Sequence, residues 1–174
     1  MTAVSLARIM PPPAKPLEAD GSWFHAEEIL GMGFPDDFKD FIRIYGSGTI
    51  GHFMSVLNPF AQNPNLNLLE QSRSQLDVLR YLRDRGESNP YALYPESGGL
   101  LPVAGTDNGD FIYWLTRGGA ADWTIVVNES RSPEYEQFDC NLTEFLEKLL
   151  DQSLICWILP RFDFNGATEF TPWS

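Results

Sequence analysis

From Leu100 onward the apolar positions fall in short runs: "LLPVAGT", "DFIYWLT", "DWTIVVNES" and "YEQFD", each bounded by Gly, Asn, Asp, Ser or Pro. Consecutive runs of this length with turn residues between them predict an antiparallel β meander. Upstream the period is different. In "FPDDFKDFIRIYGSG", Phe38, Phe41, Ile42 and Tyr45 recur at helical spacing, Pro35 suits a first helical turn, Asp36 and Asp37 complement the helix dipole, and Gly46 ends the element. A second helix is predicted through "NLLEQSRSQLDVLRYLRDRG", where Leu69, Leu76, Leu79 and Leu82 can share a face away from Arg73, Arg80 and Arg83, and Gly86 marks the stop. In "NLTEFLEKLL", Asn141 and Glu144 have capping-box spacing and Leu142, Phe145, Leu146, Leu149 and Leu150 form an apolar stripe. A shorter helix follows Ser22 in "WFHAEEILG" and closes at Gly31.

The remaining segments complete the layout. "TIGHFMSVLNP" reads as a strand closed by Asn58 and Pro59, and "LICWILP" as a late strand or a buried extended segment. The "PPPAKP" cluster makes residues 1–19 a flexible, proline-containing arm, residues 20–160 one domain, and residues 161–174 a loosely packed tail. No internal repeat is present. Helices at the ends with consecutive strands between them predict an α+β fold, an antiparallel meander packed with N-terminal, middle and C-terminal helices, in place of alternating βαβ units.

Composition narrows the class. Hydrophobic content of 43% and aromatics at 13% belong to a folding chain. Twelve basic against twenty-four acidic residues, a formal charge of -12, repel phosphate backbones, so direct nucleic-acid binding is not expected. The same charge attracts basic proteins and speeds their encounter, although it also serves solubility alone. The amino terminus lacks the layout of a signal peptide, and no apolar stretch approaches the ~20 residues of a spanning helix, so the expectation is a cytoplasmic protein without a membrane segment. Cys140 and Cys156 form no metal-type cluster and are read as reduced, structural thiols.

One stretch invites a catalytic or metal-binding reading: "TDNGDFIYWLT", with Asp107 and Asp110 flanking Asn108-Gly109. A calcium loop would need further oxygen ligands and a closing Glu about twelve positions on, whereas here the next residues turn at once into a β-like run. Asn-Gly between two β segments predicts a hairpin with a type I′ turn, its two aspartates guarding the tip. His25 and His52 lie in no metal or nucleophile motif, and the "GMG" and "GSG" stretches read as turns, not phosphate loops. Trp114 and Trp123 fall in predicted strands and read as core. Glu134, Glu136 and Asp139, just ahead of the last helix, form an acidic segment that is either a partner-binding surface or a solvated face.

Taken in order, "FPDDFKDFIRIYGSGTIGHF", "LLPVAGTDNGDFIYWLT", "DWTIVVNES" and "YEQFDCNLTEFLEKLL" resemble the SUKH superfamily, the group of bacterial immunity proteins and yeast cell-wall-assembly regulators. The resemblance spans roughly residues 22–150 and rests on Pro35, Tyr45, Gly46, Gly105, Asp107, Gly109, Asp110, Trp114 and Leu142. It implies an α+β fold without catalytic machinery or cofactor, acting by direct binding to a protein. In bacteria that protein is usually a toxin, often a nuclease. The expected function is thus a non-catalytic immunity protein that neutralises a basic toxin domain, with Glu134, Glu136 and Asp139 as nominated partner-binding residues. The alternatives are a regulatory adaptor of the cell-wall type and, from the enzyme class, a carboxylate- or metal-dependent hydrolase. Partner identity, oligomeric state and the binding face stay open.

Overall fold

The computed structural model describes residues 3–159 and 169–173. Among these residues are five α-helices: α1 (Ala3–Ile9), α2 (Trp23–Leu30), α3 (Asp36–Tyr45), α4 (Leu68–Asp84) and α5 (Leu142–Leu150). Seven strands, β1 (Gly48–Ile50), β2 (Met54–Val56), β3 (Leu100–Thr106), β4 (Phe111–Leu115), β5 (Thr124–Asn128), β6 (Tyr135–Phe138) and β7 (Phe170–Pro172), form one sheet in the order β6-β5-β4-β3-β2-β1-β7. Every neighbouring pair is antiparallel, which makes the architecture the α+β layer fold expected from the pattern of elements.

The period of two along each strand divides the core into two layers. Trp114 pairs with Ile125 and Ile125 with Phe138, so these side chains share one face. There Trp114 meets Phe38 of α3 edge-on at 4.9 Å, and Phe138 meets Phe145 of α5 at 5.3 Å. The other face carries Tyr113, whose hydroxyl accepts a hydrogen bond from Gln75 of α4 at 2.9 Å. The apolar stripe of α4 that reaches the core is Leu68, Leu76 and Leu79 together with Ser72, while Leu69 and Leu82 are only half-buried at its flanks.

Side chains cap the helix starts, Ser22 and Asn141 as expected and Asn67 in addition, with one exchange of partners. Ser22 caps α2 by accepting from His25 N at 3.2 Å, and Asn67 caps α4 by accepting from Leu69 N and Glu70 N at 3.0 and 3.2 Å. Asn141 accepts from Glu144 N at 2.9 Å, but the Glu144 carboxylate turns to Lys148 Nζ at 2.7 Å and does not close the capping box. Asp37 takes over there: Thr143 N and Oγ1 donate to its Oδ2 at 3.1 and 3.3 Å, so a carboxylate from the first turn of α3 also caps α5. Burial raises the Asp37 pKa, and the hydrogen bonds from Thr143 oppose that rise.

Four sequence expectations are corrected. The segment taken as a flexible arm contains α1, with Ala3, Leu6 and Met10 buried, and continues into Leu17 and Glu18, which dock on the ends of α3 and β2. Glu18 accepts from Ser47 Oγ at 2.6 Å and from Gln62 N at 2.8 Å. The proline cluster only bridges two anchored pieces. Second, "TIGHFMSVLNP" is a hairpin: Gly51 and His52 both take positive φ, 59° and 55°, and β2 returns on β1. Third, "LICWILP" forms no strand through Leu159 but is an irregular segment that buries Cys156 and Leu159 and leaves Ile155 and Trp157 exposed, so the reading as a buried extended segment holds only for alternate residues. Fourth, of the tail expected over 161–174, residues 161–168 and 174 lie outside the described residues, while Phe170–Pro172 is a strand that pairs with β1.

Candidate protein-binding surface

The "DNGD" stretch is a turn, but not of the type expected. Asn108 keeps negative φ, Gly109 sits at φ 87°, Gly109 N donates to Thr106 O at 2.9 Å, and Thr106 N donates to Asp110 O at 3.0 Å. This is a three-residue loop with glycine in the left-handed position, the connection that follows the two-residue type I′ loop in frequency. The two aspartates also part company. Asp107 is exposed, whereas Asp110 is only 4% exposed and its carboxylate accepts from Thr106 Oγ1 at 3.0 Å and Ser130 N at 2.9 Å. Asp110 therefore pins the loop after β5 to the β3–β4 turn and does not guard a hairpin tip.

The other motif residues have structural work as well. Pro35 stands at the N-cap of α3. Tyr45 is fully buried, stacked on Phe41 at 4.7 Å, and donates to Met10 O at 2.7 Å. Gly46 has φ 67°, and a Cβ there would lie 2.1 Å from Leu17 O, so no other residue fits the crossing of these two chain segments. Gly105 pairs with Phe111 and Ser55 across β4 and β2, and Trp114 and Leu142 are buried. His25 lies exposed on α2 and His52 exposed in the β1–β2 turn. Cys140 and Cys156 are free, buried thiols pushed up to about 11 and about 12, chiefly by burial. Among the described residues no group of three or more His, Cys, Asp or Glu side chains is placed to hold a metal ion, and none of the described helices is long and apolar enough to cross a membrane.

The acidic segment nominated from sequence maps onto β6, the edge strand of the sheet, and is split by it. Glu134 and Asp139 are exposed at its two ends. Glu136, in the middle, shares the inner face with Phe138, and its Oε2 accepts from Cys156 Sγ at 2.9 Å and from Ile158 N at 3.2 Å. This carboxylate is thus occupied within the chain, clamping the segment after α5 against the sheet edge. Between its two clamped neighbours stands Trp157, 84% exposed, with Ile155 also exposed. A large aromatic held in water by anchored flanks has already lost backbone freedom that binding would otherwise cost it. Sequence reading missed Trp157 because an apolar run such as "LICWILP" does not say which of its residues faces outward.

A second concave region lies around the corner, between α4 and the opposite face of the β4–β6 strands. The groove, about 370 Å³, is walled by Gln75, Val78, Leu82, Phe111, Asn128 and Tyr135. Val78 and Tyr81 of α4 are exposed beside it. Tyr135 packs on Tyr91 at 5.3 Å, and its hydroxyl pKa is raised by burial first and by Glu87 and Tyr91 second. Arg83 and Glu96 form a paired, half-exposed bridge at 2.8 and 3.1 Å.

Residues 20–146 match the SUKH_6 family, described as SMI1-KNR4 cell-wall. The chain belongs to this family and hence to the SUKH superfamily. The matched span runs from the cap of α2 into α5 and contains all nine motif residues. No curated protein matches the chain.

Proposed function

We propose that this chain is a non-catalytic protein-binding module, an immunity protein of the cytoplasm that neutralises a basic toxin domain through the β6 edge. The observation that carries the reading is the juxtaposition at that edge: exposed Trp157 held by the Glu136 clamp, with Glu134 and Asp139 free in solvent at either end of the strand. Tryptophan is among the residues that dominate interface energetics, and carboxylates around an aromatic anchor favour a cationic partner by steering and by cation–π contact. The formal charge of -12 adds long-range attraction of the same sign. Glu136 acts here by positioning Trp157, and Glu134 and Asp139 by contact.

The family's description as a cell-wall group supports a second reading, a regulatory adaptor that uses the same surface on a different protein. Affinity capture from the native host with mass spectrometry separates the two: a toxin domain selects immunity, a cell-wall regulatory protein selects the adaptor. Binding of the captured partner is then measured by surface plasmon resonance at low and high salt. The expected result is slower association at high salt and a large loss of affinity in Trp157→Ala carrying Glu134→Gln and Asp139→Asn. An unchanged association rate and affinity in that folded variant moves the interface away from β6.

A further inference from the structure

The two edge strands of the sheet, β7 and β6, offer different backbone groups to solvent. At β7, Gly51 N donates to Glu169 O at 2.9 Å and Trp173 N donates to Ser47 O at 3.2 Å, so alternation turns the groups of Phe170 and Pro172 outward. Pro172 has no N–H, which blunts that edge. At β6, Glu129 N donates to Glu134 O at 3.1 Å, and the register continues by pairing Val127 with Glu136 and Ile125 with Phe138. The same alternation therefore turns both the N–H and the C=O of Tyr135 and of Gln137 outward. None of these four groups has a hydrogen-bond partner among the described residues. The register of β6 is unbroken, and the strand contains no Pro, Gly or Lys to interrupt a further pairing.

The edge is also held in shape from both faces. On one, the Tyr135 ring packs on Tyr91, whose hydroxyl donates to Gln137 Oε1 at 3.4 Å. On the other, Glu136 is bonded to Cys156 Sγ and Ile158 N. A strand fixed in this way has little freedom left to lose when another chain pairs with it. Extended backbone is what matches a row of alternating N–H and C=O groups. The side chains then select its charge. Glu134, Glu136 and Asp139 lie within six positions, and Trp157 stands exposed beside them. A second copy would bring the same carboxylates to about 4.8 Å strand spacing, on two chains each of formal charge -12, and like charges facing across a ladder are destabilising. Lys or Arg side chains meet the carboxylates with opposite charge and the indole ring by cation–π contact.

We propose that β6 takes an extended, basic segment of the partner protein as an added strand, paired through the N–H and C=O groups of Tyr135 and Gln137. The inference rests on the reading of the β6 edge as the protein-binding surface and adds the conformation the partner adopts there. The test uses the full chain, isotopically labelled for NMR, with the peptide acetyl-Lys-Val-Lys-Val-Lys-Val-Lys-amide as probe. Its controls are the same peptide with Glu for Lys and a copy methylated at every backbone nitrogen, which keeps the charge and cannot donate to a strand. At saturation the basic peptide should slow hydrogen exchange of the Tyr135 and Gln137 amides about tenfold or more, and it should bind at least about tenfold tighter than either control. Gln137→Pro removes one outward N–H and spares the ladder to β5, so it should lower the affinity about tenfold. Exchange in the parent chain decides the matter alone if that variant does not fold. Absence of saturable binding, or amides of Tyr135 and Gln137 left unprotected in the bound chain, overturns the proposal. So does equal binding of the methylated copy; if Trp157→Ala weakens that binding the surface reading stands without the added strand, and if it does not, that reading fails as well. Protection of the same amides without peptide, together with a dimer in sedimentation equilibrium, overturns the basic occupant in favour of a second copy.

Discussion

The hydroxyl of Tyr45 donates to the backbone carbonyl of Met10, 2.7 Å away, and so joins the last turn of α3 to the segment leaving α1. Both residues are fully buried, so the bond has no competing water. Tyr45→Phe removes the donor and strands a buried carbonyl, an expected loss of about 1–3 kcal/mol by urea unfolding. Burial also pushes the Tyr45 pKa up to about 12 from an ordinary value of 10.0. The unfolded chain therefore gives up this proton first, and stability is expected to fall as pH rises from about 10 to about 12. The buried thiols and other tyrosines add to the slope in the same sense. Tyr45→Phe should show a shallower decline over that window, measured by unfolding at stepped pH.

Phe41 lies directly against Tyr45, with ring centroids 4.7 Å apart, and also meets Phe170 of β7 edge-on at 6.3 Å. Phe41→Ala is expected to cost about 3–5 kcal/mol through lost transfer energy and the cavity left behind. An unfolding midpoint equal to that of the parent would contradict the packing of this layer.

The two aspartates of the "DNGD" turn should respond differently. Asp110→Ala leaves Ser130 N–H without its acceptor and is expected to lose about 1–3 kcal/mol. Asp107→Asn, at an exposed position, should stay within about 0.5 kcal/mol of the parent. Chemical denaturation of the two single variants gives the comparison directly.

Glu136→Ala should release the clamp on the segment after α5. The Cys156 thiol is held high by burial first and by its hydrogen bond to Glu136 second, so losing that carboxylate both exposes it and lowers its pKa. Maleimide labelling followed by mass spectrometry should find Cys156 modified several-fold faster than in the parent, an order-of-magnitude expectation from thiolate availability. The rate at Cys140 should be little changed. Equal rates at Cys156 in both proteins would remove Glu136 from its positioning role.

Much of the fold was readable from local pattern. The helices α2 to α5 follow from apolar spacing such as that of Phe38, Phe41, Ile42 and Tyr45, and from caps such as Ser22 and Asn141, whose partners lie within three residues. The β3–β6 meander follows from short runs and turn residues. The turn type at Gly109 was not readable, because the buried Asp110 carboxylate, bonded to Ser130 twenty residues on, shapes the hairpin as much as the Asn-Gly pair does. Nor could the roles of Glu134, Glu136 and Asp139 be separated, since three carboxylates within six positions look alike until one finds a donor from another element.

By itself, then, the sequence determined the identity of the main elements, the α+β class and the family, because periodicity, capping and turn chemistry act between residues close along the chain. Tertiary structure alone decided that the proline-bearing N-terminal segment docks through α1, since seven helical residues cannot sustain a helix without the apolar surface that α3 and α5 offer Leu6. It likewise decided that β7 closes the sheet against β1, and that Glu136 turns inward while Trp157 stands out. The register of β6 puts Glu136 on the core face, and only the return of the chain after α5 brings the thiol and amide that satisfy it. A half-buried carboxylate on that face is stabilised by those donors, and the same contacts that pair Glu136 leave Trp157 facing solvent.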